Sequence, residues 1–209
     1  MSKSLDLFAE KEELIIANLE DAQLHYFPHA LSKDQADAFL TVCLNEFEWR
    51  QDSIRIAGKN IAVPRLQNWY GDEGMDYSYS GIRLTPLPWP EPLLAIKRQV
   101  EDISQQRFNS VLANYYRDGN DSVDWHSDDE PELGPQPIIA SLSLGATRTF
   151  TLKHRFKKQL APQKIPLQHG SLLVMSGTTQ SHWLHRIGKD KHVDQPRINL
   201  TFRQIRVVD

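Results

Sequence analysis

The stretch Ser122–Gly134, SVDWHSDDEPELG, sets His126 two residues before Asp128 and follows them with Asp129 and Glu130. Carboxylates crowded beside an imidazole repel one another unless water solvates them or a cation neutralises them. The stretch is therefore either a solvated loop or part of a metal site. Side chains alternate along a strand, so residues two apart point the same way and His126 and Asp128 can close on one ion. A third ligand must come from elsewhere. SHWLHR offers His182 and His185, three apart and so on opposite faces of an extended strand. Spacing alone does not choose between them.

The same parity applies near the C-terminus. In RINLTFR, Arg197, Asn199, Thr201 and Arg203 share one face, opposite Ile198, Leu200 and Phe202. Two guanidiniums on one wall need an anionic partner, and the guanidinium fork suits carboxylates. In NYY, Asn114 and Tyr116 also share a face. Each set has a structural reading when taken singly: a chance H-x-D, surface ion pairs, strand-end hydrogen bonds. Taken together, in one order within the second half of the chain, they meet the needs of a ferrous site. Such a site has two histidines, one carboxylate, open coordination positions and an anionic co-substrate.

The elements that must position these residues are legible in outline. Ser32 followed by KDQADAFLTVCLNEF reads as an N-capped helix, and PEPLLAIKRQVEDISQQ (90–106) reads as a second. Between them, residues 63–90 are dense in Pro, Gly and aromatics and predict hairpins and loops carrying exposed rings. From Asn109 onward short β-rich runs alternate with turn signals at Asp118-Gly119, Gly134-Pro135, Gly145, Gly170 and Gly177. The expected fold is α+β and mainly β: a double-stranded β-helix, or jelly-roll, core with N-terminal helices packed on one side. Residues 1–60 read as a helical extension and 61–209 as the main domain, together one compact unit.

Composition narrows the setting. The 209 residues carry a net charge of -3, so the whole protein is not a basic nucleic-acid binder. Charge is uneven, however: KHRFKK (153–158) and HRIGKDKH (185–192) are locally basic, and a local patch can grip phosphates. The single Cys43 excludes an internal disulfide and a Cys-rich zinc site, and fits a reducing compartment. No apolar run reaches the length of a membrane span, and MSKSLDLFAEKEEL has charges where a secretion signal needs an apolar segment. The expected location is cytoplasmic in a bacterium, or nuclear and cytoplasmic in a eukaryote, with no membrane association.

At these residues the sequence resembles the AlkB family of Fe(II)- and 2-oxoglutarate-dependent dealkylases. The blocks NYYRDGNDSVDWHSDDEPELG, PIIASLSLGATRTF, HGSLLVMSGTTQSHWLHR and PRINLTFR look like consecutive family segments, and the likeness covers roughly residues 63–205. PRLQNWYGD and DSVDWHSDDEP look most like the animal branch that demethylates single-stranded DNA and RNA. The resemblance implies that His126, Asp128 and His185 hold the iron, leaving His182 outside. It implies that Asn114, Tyr116, Arg197, Asn199 and Arg203 surround 2-oxoglutarate, with Arg203 on its distal carboxylate. Tyr77 and Tyr79 would lie beside a flipped base, Tyr79 stacked on it. Asp129 and Glu130 would approach the base's polar edge, and Arg148 the nucleic-acid backbone.

The implied reaction uses O2 and decarboxylates 2-oxoglutarate to succinate and carbon dioxide. It hydroxylates the N-methyl group of 1-methyladenine or 3-methylcytosine, and the product collapses to formaldehyde and the repaired base. Both lesions are cationic, which gives Asp129 and Glu130 a task, and a methyl on the Watson–Crick edge requires a flipped or single-stranded base. Relatives acting on duplexes insert a bulky aromatic where IRIAGKNIAVPR has Ala57, so single strands are the expected substrate, bound by a monomer. The rival expectations are a 2-oxoglutarate oxygenase of protein or lipid, and a metal-binding β-sandwich without catalysis.

Overall fold

The computed structural model describes residues 14–15, 19–56, 59–75, 77–79 and 82–206. Two strands, β1 (Leu14–Ile15) and β2 (Gln23–Phe27), precede helix α1 (Lys33–Glu46). Ser32 caps α1 as its sequence predicts. Its Oγ accepts from the Gln35 amide at 3.3 Å, and Gln35 Oε1 accepts from the Ser32 amide at 3.1 Å, so two orphaned donors are satisfied reciprocally. The hairpin β3–β4 (Ser53–Ile56, Lys59–Ala62), strand β5 (Leu66–Gly71) and the hairpin β6–β7 (Tyr77–Tyr79, Ile82–Leu84) follow. Helix α2 (Glu91–Ser104) then starts behind Pro90, whose fixed φ suits a helix entrance.

The C-terminal half is β-rich. Strands β8 (Ser110–Tyr116) and β9 (Val123–His126) lead through a one-turn 3-10 helix to β10 (Ile139–Gly145), β11 (Arg148–His154), β12 (Gln163–Leu167) and β13 (Ser171–Ser176). A four-residue helix α3 (Thr179–His182) precedes β14 (Trp183–Ile187) and β15 (Arg197–Arg203). These strands make a seven-stranded sheet, β1-β2-β13-β10-β15-β8-β5, and a four-stranded sheet, β12-β11-β14-β9. All their pairings are antiparallel. The two sheets make the jelly roll that the spacing of strands and turns predicts.

Two cores result from strand alternation. Ile198, Leu200 and Phe202 join Ala36, Cys43, Leu93, Ile96 and Val100, so one face of the large sheet is covered by α1 and α2. Leu112, Tyr116, Leu173 and Met175 meet Phe150, Leu152, Ile165 and Trp183 between the sheets. Strand β15 is buried on both faces, its polar face turned toward the space between the sheets.

Two expectations need correction. Residues 66–71 form an inner-packed strand rather than a loop, and the rings expected to be exposed there are buried: Trp69 between the sheets, Tyr70 against the helices. A strand pairing β5 with β8 carries alternate residues into both cores. Among its described residues, the N-terminal segment is also not only helical. β2 pairs with β13 inside the large sheet, and a boundary at 60/61 would cut through β4.

Candidate active site

His126 and His185 face each other across the β9–β14 pairing, with ring centroids 4.3 Å apart. Asp128 follows β9 by two residues and brings its Oδ2 within 3.9 Å of His185 Nε2. One ligand atom from each of the three residues lies within 4.8 Å of the others, an arrangement that fits one metal ion. His126 Nδ1 lies 2.7 Å from the Asp124 carbonyl, which can only accept, so this nitrogen carries the proton and Nε2 is left with its lone pair. Burial pushes the His185 imidazole down to about 3, so it is neutral at pH 7 and ready to ligate. Burial pulls Asp128 toward protonation, but the charge of the Arg203 guanidinium and its hydrogen bond outweigh it and hold the carboxyl at about 2. The site is thus neutral, neutral and anionic before any ion arrives.

Two hydrogen bonds hold Asp128. Arg203 Nη2 donates to its Oδ1 at 2.6 Å, and its backbone amide donates to Gln180 Oε1 at 3.0 Å. Gln180 is 1% exposed and belongs to α3, the short helix that delivers the chain to β14. Sequence spacing gave no sign of Gln180 because its partner lies 52 residues away.

The pocket beside the three ligands is lined by Asn114, Tyr116, Arg197, Asn199, Thr201 and Arg203, the residues that parity set on one face. Arg65 also lines it and donates from Nε to Asn114 Oδ1 at 2.6 Å. It is the Arg of PRLQNWYGD, and the sequence reading overlooked it. Asn199 Nδ2 donates to Ser141 Oγ at 2.8 Å, which fixes its amide.

The two pocket arginines differ from expectation. Arg203 was expected on the distal carboxylate of a keto acid, but it is bound to Asp128 at the metal end. Arg197 pairs with Tyr116 across the β15–β8 ladder, at the other end of the strand. Its Nη2 donates to Ser143 Oγ at 2.9 Å, while the buried Nε and Nη1 have no partner among the described residues. Burial pulls this guanidinium down to about 10, against the Tyr116 phenol, so it remains a cation at pH 7. A buried cation with two unsatisfied donors costs several kcal/mol unless an anion meets it.

Other expected site residues lie elsewhere. Arg148 is 1% exposed, and its guanidinium donates to the carbonyls of Asp118, Asp121 and Gly188. It cannot reach a nucleic-acid backbone. Asp129 is exposed and ion-paired with Arg155 at 3.0 Å; Glu130 precedes the 3-10 turn, and neither lines the pocket. Tyr77 and Tyr79 belong to β6, but their side chains lie outside the described residues, as does Ala57. His182 ends α3, bonded to the Thr178 carbonyl and away from the metal cluster. Lys157, in the basic run, is neutralised by Glu20 and Asp21.

A second, open groove of about 500 Å³ adjoins the pocket and shares Arg65, Val123, His126 and Ile187 with it. Ile61, Ala62 and Val63 form one wall and Trp125, Arg186 and Lys189 another.

The profile of the 2OG-Fe(II) oxygenase superfamily matches residues 23–203. The chain is 43% identical over 187 residues to the Mus musculus "Alpha-ketoglutarate-dependent dioxygenase alkB homolog 3", covering 86% of this chain and 65% of that protein. It is 44% identical over 158 residues to the Homo sapiens "DNA oxidative demethylase ALKBH2", covering 73% and 60%. With the Arabidopsis thaliana protein of that name it shares 34% identity over 209 residues, covering 88% and 67%. The chain thus spans just under two thirds of the mouse relative. Its fold matches the solved structure titled "The structure of OsALKBH1" with a TM-score of 0.61, over 87% of this chain and 96% of that one, at 17% identity. That superfamily implies Fe(II), 2-oxoglutarate and O2, and the three clustered ligands and the unpartnered Arg197 suit such a set. The chain belongs to the AlkB family of the 2OG-Fe(II) oxygenase superfamily.

Proposed function

We propose that this chain is an Fe(II)- and 2-oxoglutarate-dependent dioxygenase that removes N-methyl groups from bases such as 1-methyladenine and 3-methylcytosine. The substrate is single-stranded DNA or RNA, the enzyme acts as a monomer, and the task is alkylation repair. The names of the relatives supply the reaction class: a dioxygenase in one case, a DNA oxidative demethylase in the other. The observation that carries the reading is one pocket holding three convergent metal ligands and a buried guanidinium with no anion.

His126, Asp128 and His185 would hold the ferrous ion. When bound, iron with O2 and the keto acid supplies the oxidant for the methyl group. Arg197 takes the distal carboxylate through Nε and Nη1, with Tyr116 and Ser143 beside it. Arg203 keeps Asp128 ionised and in place at the other end. Phe150 stacks on His185 with centroids 5.0 Å apart and keeps water from that side of the imidazole. The groove that shares His126 with the pocket delivers the base. The single-strand preference rests on Ala57, too small to fill the gap an extruded base leaves in a duplex.

The test is spectroscopic, then chemical. Anaerobic protein with Fe(II) and 2-oxoglutarate should show the weak visible charge-transfer band. Air and a single-stranded oligonucleotide carrying 1-methyladenine or 3-methylcytosine should then release formaldehyde, faster than from a duplex. A band without formaldehyde from any methylated oligonucleotide moves the substrate to protein or lipid, and absence of the band removes the oxygenase reading.

A further inference from the structure

We propose that the outer face of the four-stranded sheet is a second contact surface for the polynucleotide, gripping phosphates of the strand that flanks the base in the pocket. The inference rests on the reading above that the substrate is a nucleic acid.

Alternation places the surface. His126 and His185 turn inward to the ligand cluster, so their neighbours Trp125 and Arg186 belong to the opposite face of the sheet. On β11, Phe150, Leu152 and His154 are buried, which leaves Lys153 outward; on β12, Ile165 and Leu167 are buried, which leaves Lys164 outward. Thr151 pairs with both Lys164 and Arg186, so these two cations flank one residue across three strands, about 10 Å apart. Lys153 Nζ lies 4.1 Å from the Trp125 ring centroid and the Arg186 guanidinium 4.5 Å from it. The indole holds the two cations over one ring and lowers the entropy lost on meeting a ligand.

Charge points to the occupant. The chain has more acids than Lys and Arg, 27 against 24, and three lysines elsewhere find carboxylates: Lys33 with Asp37, Lys97 with Glu101, Lys157 with Glu20 and Asp21. Among the described residues no carboxylate pairs with Lys153, Lys164 or Arg186. The buried Nε of Arg186 has no hydrogen-bond partner either. Asp124 is the one acid on the four strands, and its Oδ1 accepts from the Trp125 amide. Trp125 and Arg186 also line the groove that shares His126 with the pocket. A polyanion leaving the pocket therefore meets three cations on its way.

The test compares lengths and salt, with anaerobic protein loaded with Fe(II) and 2-oxoglutarate. Binding of an unmodified single-stranded 5-mer and 20-mer is followed by fluorescence anisotropy across a salt series. Three extra phosphate contacts make the 20-mer's slope of log affinity against log salt steeper by about 2, at roughly 0.7 per contact. The variant Lys153→Gln/Lys164→Gln should lower the 20-mer slope by about 1.4 and leave the 5-mer and the charge-transfer band unchanged. Equal slopes for the two lengths in the unaltered protein overturn the proposal, whatever the variant does. So does a variant that keeps its 20-mer slope but loses binding of polyglutamate, which assigns the face to an acidic protein. Failure of the demethylase reading is separate, because it appears as no formaldehyde from a methylated 5-mer.

Discussion

Arg148 and Arg197 are both 1% exposed, and both lie over the Tyr116 ring, at 5.7 and 5.1 Å from its centroid. Their surroundings differ in kind. Arg148 meets three backbone carbonyls at 2.6 to 3.1 Å and ties the 118–121 turn to Gly188. Arg197 donates to one serine hydroxyl, and among the described residues its Nε and Nη1 have no hydrogen-bond partner. A buried cation with its donors satisfied belongs to the fold. One with donors left over is held in readiness for an anion, and the fold bears the cost until the anion arrives.

The contrast breaks most sharply at Arg197. Replacing it with Leu removes about two charge-assisted hydrogen bonds to a carboxylate, each roughly 1.5–3 kcal/mol, so the 2-oxoglutarate requirement should rise on the order of 100-fold or more. The metal-free, ligand-free melting temperature should hold or rise, because the uncompensated charge goes with the side chain. A lowered melting temperature with an unchanged 2-oxoglutarate requirement would make Arg197 structural after all.

Arg148→Leu should show the opposite pair of effects. Three carbonyls lose their donor, a destabilisation of about 3 kcal/mol, or roughly 6–12 °C in melting temperature for a chain of this size. The 2-oxoglutarate requirement of the folded fraction should move only a few-fold. Thermal melts beside a 2-oxoglutarate titration decide it, and a selective loss of co-substrate affinity would erase the distinction between the two arginines.

Gln180 sharpens the comparison at the metal end, where Arg203 and Gln180 both serve Asp128. Gln180→Leu leaves the Asp128 amide without its acceptor and frees the ligand loop, and outer partners of this kind are worth about 10- to 100-fold in metal affinity. Iron affinity should fall within that range while 2-oxoglutarate binding at saturating iron holds. Equal losses in both would point to a general loosening of the pocket.

Much of this was legible in local spacing. The β15 face, the His126–Asp128 pair and the capping box each depend on residues within a few positions. Arg148 was legible too, since it shares parity with Phe150 and Leu152, the buried face of β11. What spacing could not give was the assignment of charge to partner. Arg203 finds Asp128 across 75 residues, Arg197 finds Ser143 across 54, and Lys157 finds Glu20 across 137. The parity comparison of His182 with His185 also assumed one strand, whereas His182 ends a helix and β14 begins at Trp183. The family resemblance, rather than the geometry of the strand, is what favoured His185.

Taken per pH unit, the smallest expected effect is the slope of stability with pH. An imidazole in the unfolded chain titrates near about 6.5, but burial holds His185 at about 3 in the folded one. Between these values the unfolded chain takes up a proton that the folded chain refuses. The stability contribution is therefore complete above the unfolded value and is lost as pH falls, at about 1.4 kcal/mol per pH unit for one proton. Asp128, held at about 2, extends the loss below the ordinary carboxylate range. The metal-free protein should lose roughly 3–6 °C of melting temperature per pH unit on acidification from 6.5 to 4. Arg148 and Arg197 stay protonated throughout and contribute nothing to this slope, so acid sensitivity isolates the metal end from the two guanidiniums. His185→Gln should flatten the slope, and a variant that melts with the original pH dependence would place the responsible proton on another residue.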